Sequence, residues 1–279
     1  MERLNFSYEH KKFLSDVRRL CIVEYLMTNN IYYYETIDKK NLHKFCKEKD
    51  IGSLPSKHSN LVYVLQNNNF IKREIKYEEK LKITDHIFDK DVLESFTEAS
   101  PIKYVYKDDV LEGIVHFSDY NRSAVKIYLY GVISEFENNL RSIFISTEIK
   151  EESVLEYIKR KAEKDKKIGI YEEAKKRYES SKNKSYPFES FDLIHLLWFY
   201  NHNANNYPSF NKINNIGEIT KLRNSIMHSK ISIELKDFSN EPLVFNFPSF
   251  ERFRSNCYSV FDGLKTTYNI LGDLNNDRF

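Results

Sequence analysis

Apolar positions change their period part-way along the chain. Up to about Arg122 they come as short runs: Leu61-Val62-Tyr63-Val64-Leu65, Phe70 to Ile75, Tyr104-Val105-Tyr106 and Gly113 to Phe117. The clusters Gln66-Asn67-Asn68-Asn69 and Lys107-Asp108-Asp109 separate them, a pattern of strands joined by tight turns. Phe13, Val17, Leu20, Cys21 and Tyr25 predict one amphipathic helix from about Tyr8 to Thr28, followed by a strand over Ile31–Tyr34. Leu42, Phe45 and Cys46 predict a short helix within Lys39–Lys49, and Ile51 to Ser56 reads as a turn. A second short helix is expected at Asp91–Phe96. The order helix, strand, turn, strand thus occurs twice, a degenerate repeat of elements more than of residues.

Beyond Ser123 the apolar spacing becomes helical and the runs lengthen. Ile127, Leu129, Ile133, Phe136, Leu140, Ile143 and Phe144 predict a long central helix. Lys150 to Lys184 carries dense charge of both signs and reads as two exposed helices around Gly169. Pro187 with Glu189 in the first turn predicts the start of a buried helix through Phe199, in which His195 reads as a core histidine. Another helix opens near Ile216 and carries Ile219, Leu222, Ile226 and Met227. After a loop holding Pro242 and Pro248, a last helix runs from Ser249 to about Leu271.

Composition narrows the class. A 15% aromatic content argues against disorder, and seven Gly and six Pro favour a largely helical chain with short connections. The net charge is only +2, so any nucleic-acid binding must come from a local patch. The triplets Lys159-Arg160-Lys161 and Lys175-Lys176-Arg177 are the candidates for phosphate contacts, against the plainer reading of a solvated helix face. Cys21, Cys46 and Cys257 are too dispersed for a disulfide framework or a zinc site. The start Met1-Glu2-Arg3-Leu4-Asn5 lacks a signal-peptide core and no apolar run reaches membrane-spanning length, so a cytoplasmic protein is expected.

The stretch with chemistry is Lys221-Leu222-Arg223-Asn224-Ser225-Ile226-Met227-His228. A His can take the proton of a ribose 2′-OH, and an Arg can stabilise the charge on the attacked phosphate. On a regular helix, positions five apart lie about 140° apart around the axis, so convergence needs a long Arg side chain, a loosened helix end or a second copy. The plainer alternative is a solvated Arg and a His near a helix C-terminus.

Arg223, Asn224 and His228 resemble the R-x4-6-H motif of the HEPN superfamily of helical ribonucleases. That resemblance implies a metal-independent endoribonuclease giving 2′,3′-cyclic phosphate ends, a homodimer with a composite site, and use as a toxin or antiphage effector. Its partners would be an RNA substrate and an unidentified antitoxin or activator, with no membrane and no cofactor for cleavage. An acidic residue on the long early helix can lie near the Arg-His pair in such proteins. Glu137 matches that position, although Arg141 four residues on also allows an ordinary helical ion pair.

Gly113-Ile114-Val115-His116-Phe117-Ser118-Asp119 resembles the closing signature of a CBS motif. Here Asp119 would bind the ribose of a regulatory adenine nucleotide, or cap the helix after it. His116 departs from the usual Thr or Ser, and the first copy has no matching Asp. The expected architecture is therefore α+β in two domains: a CBS-like α/β module over 1–122 and an all-α HEPN-like bundle over 123–279. The alternative function is a non-catalytic module that binds RNA or protein and senses an adenine nucleotide.

Overall fold

The computed structural model describes residues 15–181, 186–204, 206, 210–227 and 242–276. It is an α+β structure that divides into two compact units. One comprises Asp16–Val125 with Val244–Phe250, and the other comprises Lys126–Leu243 with Glu251–Phe279 and the first residues of the chain.

The N-terminal unit holds two three-stranded sheets. In the first, β1 (Ser53–Pro55), β2 (Leu61–Gln66) and β3 (Asn69–Glu74) form an antiparallel meander. Asn67 and Asn68 close the β2–β3 hairpin with φ of 46° and 60°, left-handed values that Asn tolerates better than most residues. In the second sheet β4 (Lys80–Lys82) runs parallel to β5 (Ile102–Lys107), which pairs antiparallel with β6 (Val110–His116). Asp108 and Asp109, at 47° and 64°, repeat the same turn device. Val62, Ile75 and Tyr104 form a shared apolar cluster against which Val64, Ile102 and Ile114 pack.

Several expectations for this unit need correction. Residues 15–19 are helical, but the helix does not run on to Thr28. Ile22 forms a bridge with His86, and the backbone N–H groups of Val23 and Glu24 donate to Asp85 and Ile83. Those partners take the groups a continuous helix would use, so only a separate turn, α1 (Val23–Leu26), comes after it. Residues Ile31–Tyr34 form no strand; Tyr34 begins a 3-10 turn (Tyr34–Thr36), and its ring stacks on Tyr63 with centroids 3.6 Å apart. The turn expected at Ile51–Ser56 contains β1, and β4 was not legible because three residues, Lys-Leu-Lys, show no period. The two short helices are α2 (Leu42–Glu48) and α3 (Lys90–Ser95).

Val244–Phe250 belongs with this unit for visible reasons. Asn121 clamps the backbone of Val244 with its amide, and the Phe250 ring meets Phe96, Phe117 and Tyr120.

The second unit is helical: α4 (Ser123–Ser146, in this unit from Lys126), α5 (Glu151–Lys164), α6 (Ile168–Ser181), α7 (Leu193–Asn203), α8 (Ile216–Met227) and α9 (Phe247–Asn276, in this unit from Glu251). Leu129, Ile133, Phe136, Leu140, Ile143 and Phe144 of α4 are fully buried. The break between α5 and α6 falls at Lys166, φ 56°, and Gly169 lies inside α6. The buried helix starts at Leu193, later than Pro187 suggested, because Phe188 adopts φ 64° and its N–H donates to Glu151. Pro248 stands in the first turn of α9, where its missing N–H costs no helical bond. Among the described residues no helix is long and apolar enough to cross a membrane. The stretch 228–241, with His228 and Ile231–Ile233, lies outside the described residues.

α4 and α9 meet at Gly263, where an added Cβ would stand 2.7 Å from the buried ring of Phe136. Gly263→Ala is expected to destabilise the protein by about 1–3 kcal/mol through overpacking, despite the better helix propensity of Ala. Urea unfolding measures this, and equal or greater stability would show that the ring yields.

Candidate functional site

The motif helix α8 buries Ile219, Leu222 and Ile226, which leaves Arg223 at the edge of the buried stripe with its side chain 24% exposed. α4 brings Glu137 to it. The Arg223 Nε–Glu137 Oε1 distance is 3.6 Å, and Arg141 Nη2 lies 3.5 Å from Glu137 Oε2. Glu137 therefore serves both roles its position allowed, the helical pair with Arg141 and the contact with the motif arginine. At 3.6 Å the Arg223 contact is an ion pair too long for a hydrogen bond, so both atoms lack a hydrogen-bond partner among the described residues. Asn224 is exposed and accepts from Arg223 Nη1 at 3.3 Å. His228 lies outside the described residues, so its distance to Arg223 is not part of this geometry.

A second charged set is centred on Arg177 and Asp192. Arg177 on α6 grips Asp192, the residue before α7, through two hydrogen bonds of 2.7 and 2.8 Å. His195, in the first turn of α7, is 3% exposed and holds Nδ1 4.0 Å from Asp192 Oδ2. Burial alone would raise the Asp192 pKa, but the Arg177 hydrogen bonds and the charges of Arg177 and Arg223 outweigh it and hold the carboxyl below its ordinary value. Asp192 thus lies in the field of both Arg177 and the motif arginine. Burial, which outweighs the pull of Asp192, lowers the His195 pKa and keeps the ring neutral near pH 7. Arg177 Nε, Ser190 Oγ and His195 Nδ1 join Glu137 Oε1 and Arg223 Nε as buried polar atoms without hydrogen-bond partners among the described residues. His195 is buried as expected of a core histidine, with its Nδ1 lacking a hydrogen-bond partner among the described residues. Its signal was available as Asp192-x-x-His195, the spacing that stacks two side chains on one helix face.

The basic triplets divide by environment. Arg177 is committed to Asp192, while Lys161 bonds Asp165 at 3.0 Å and lies over the Trp198 ring at 4.7 Å. Lys175 pairs with Glu179 at 3.7 Å. Lys159, Arg160 and Lys176 are exposed and form no ion pair among the described residues, which leaves them open to phosphate. Asp119 in the N-terminal unit accepts from the His116 N–H at 2.8 Å and from Arg122 Nε at 2.9 Å. It caps the 3-10 turn Phe117–Asn121, and the His116 ring closes the same capping box. A groove of about 1240 Å³ in that unit is lined by residues that include Tyr77, Lys80, Asp89 and Tyr106, but not Asp119.

Compared with protein-family models, with curated proteins and with solved structures, the chain has no match. The functional reading therefore rests on the site itself. Among the described residues no group of three or more His, Cys, Asp and Glu side chains is arranged to hold a metal ion.

The two shifted groups give a pH dependence of one sign. The depressed Asp192 pKa adds stability that is complete above the unfolded carboxylate value of about 3.9 and is lost as pH falls through the lower folded value. The lowered His195 pKa lets the unfolded chain take a proton first below about pH 6.5, so stability also falls on acidification there. Urea unfolding across that range should show His195→Gln flattening the slope just below about pH 6.5, and Asp192→Asn flattening it at lower pH. An unchanged slope in His195→Gln would mean that the ring titrates as in an unfolded chain.

Proposed function

We propose that the chain is a metal-independent endoribonuclease of HEPN type, built on Arg223 and His228. The observation that carries this reading is the Glu137 carboxylate 3.6 Å from Arg223. A surface arginine on a solvated helix face needs no buried carboxylate, whereas a phosphate-binding arginine gains from one that fixes its guanidinium before substrate arrives.

In this mechanism His228 takes the proton of a ribose 2′-OH, and O2′ attacks the adjacent phosphorus. Arg223 stabilises the charge that builds on the phosphoryl oxygens, and Asn224 holds Arg223 Nη1 on its amide oxygen. The P–O5′ bond breaks, leaving a 2′,3′-cyclic phosphate and a 5′-OH. Two copies of the chain complete the site, so that Arg223 and His228 of one chain need not converge. The exposed Lys159, Arg160 and Lys176 guide the RNA backbone, with Lys161, Lys175 and Arg177 supporting them. In the cell such an enzyme suits a cytoplasmic toxin or antiphage effector, with the N-terminal unit regulating it.

Incubation of total RNA with purified protein in excess chelator tests the reading. The wild type is expected to yield cyclic-phosphate ends, and Arg223→Ala and His228→Ala are each expected to lose at least about 10²-fold in rate with unchanged circular dichroism. Cleavage that survives in both variants would contradict the assignment. A second reading, a binding module that senses an adenine nucleotide, is favoured by the N-terminal groove with Tyr77 and Tyr106 in its lining. It predicts a thermal shift with ATP or AMP and no RNA cleavage by any form of the protein.

A further inference from the structure

The carboxylate of Glu137 holds two guanidinium groups, and the mechanism above uses one of them. Arg223 Nε stands 3.6 Å from one carboxylate oxygen, and Arg141 Nη2 stands 3.5 Å from the other. We infer that Arg141 is a second phosphate-binding residue, which takes the phosphodiester of an RNA strand next to the one that Arg223 holds. This role rests on the ribonuclease reading of Arg223 and extends the contact with RNA from one phosphate to two.

Charge is the first support. One carboxylate faces two guanidinium groups, which leaves a surplus positive charge on side chains that are only 20% and 24% exposed. The Asp192 carboxylate, whose charge also acts on Arg223, is taken up by two hydrogen bonds from Arg177. A charge withdrawn this far from water is stabilised by an added anion. Free donors are the second support. A guanidinium carries five N–H groups. Arg141 directs Nε at the Phe188 carbonyl at 3.4 Å, one Nη1 N–H at Asn138 Oδ1 at 3.2 Å, and Nη2 at Glu137. Its remaining N–H groups meet no acceptor among the described residues. Arg223 gives one Nη1 N–H to Asn224, and its Nη2 meets no acceptor among the described residues. Both arginines can therefore keep their contacts and still donate to phosphate oxygens.

Placement decides between one shared phosphate and two. Each guanidinium addresses a different oxygen of Glu137, so the negative carboxylate stands beside both and opposes an anion that bridges them. Successive phosphates of one strand meet the two arginines separately and avoid that repulsion. Arg141 is also fixed in advance. Asn138, one turn earlier on α4, and the Phe188 carbonyl hold its head group, and the Phe188 backbone is itself pinned by its N–H bond to Glu151. A guanidinium held this way loses little freedom when RNA binds. Arg141 binds a phosphate that does not react, so it forms and breaks no covalent bond.

Binding of a 2′-fluoro RNA oligonucleotide, which has no 2′-OH to attack, tests the inference over a series of salt concentrations without cleavage. Each phosphate contact on a single strand contributes about 0.7 to the slope of log affinity against log salt. Arg141→Ala and Arg223→Ala should each lower that slope by about 0.7, the double variant by about 1.4, and Arg141→Lys should restore it. An unchanged slope in Arg141→Ala beside a lowered one in Arg223→Ala overturns this assignment and leaves the ribonuclease reading intact. A double variant with the same slope as Arg223→Ala means one shared phosphate and also overturns it. A wild type that binds no oligonucleotide, or an unchanged slope in both single variants, contradicts the ribonuclease reading as well. If Arg141→Ala does not fold, phenylglyoxal labelling of the wild type, read by peptide mass spectrometry, carries the test. The oligonucleotide should protect Arg141 several-fold, and inorganic phosphate at the same concentration of phosphate groups should not. Equal labelling with and without the oligonucleotide, or equal protection by inorganic phosphate, overturns the assignment.

Discussion

Glu137 is a carboxylate with its side chain 12% exposed, flanked by guanidinium groups at 3.5 and 3.6 Å. A charge so far withdrawn from water is tolerable only when opposite charge stands beside it, and removing one partner leaves the other exposed to the full desolvation cost. The ion pair of Glu137 with Arg223 joins α4 to α8. Arg177 and Asp192 make the same kind of link between α6 and the start of α7. Together the two links place an arginine-rich cluster among helices with extensive apolar burial. A preorganised cluster of this kind can stabilise developing charge without rearranging during reaction.

The fold is legible in the sequence wherever one period persists. The long α4 and α9, the hairpins closed by Asn67-Asn68 and Asp108-Asp109, and the motif helix over Ile216–Met227 come from apolar spacing and turn residues. Sequence and structure part where tertiary partners take over the backbone. Ile22 and Val23 leave their helix to bond with the region Ile83–His86, β4 is too short to show a pattern, and Phe188 at positive φ delays α7. A pattern within one segment holds no information about a partner sixty residues away.

The site is partly legible for the same reason. Arg223 and Glu137 are recognisable as a pair only through resemblance, since they are far apart in the chain and no local rule joins them. Asp192 and His195 can be found from their spacing alone. The apolar neighbours Leu193, Leu196 and Leu197 point His195 to the core, and it is indeed buried. Nothing in the sequence shows that its Nδ1 is left without a hydrogen-bond partner, among the described residues, beside a carboxylate already committed to Arg177.

The central claim is that Glu137 and Arg223 act as one unit in RNA cleavage. A double-mutant cycle with Glu137→Gln and Arg223→Ala, read as cleavage rate in chelator, tests it most directly. Both single variants should be slow, and the double variant no slower than Arg223→Ala alone, because the carboxylate acts through the arginine. A Glu137→Gln variant that cleaves at the wild-type rate, or losses that multiply in the double variant, would contradict the account.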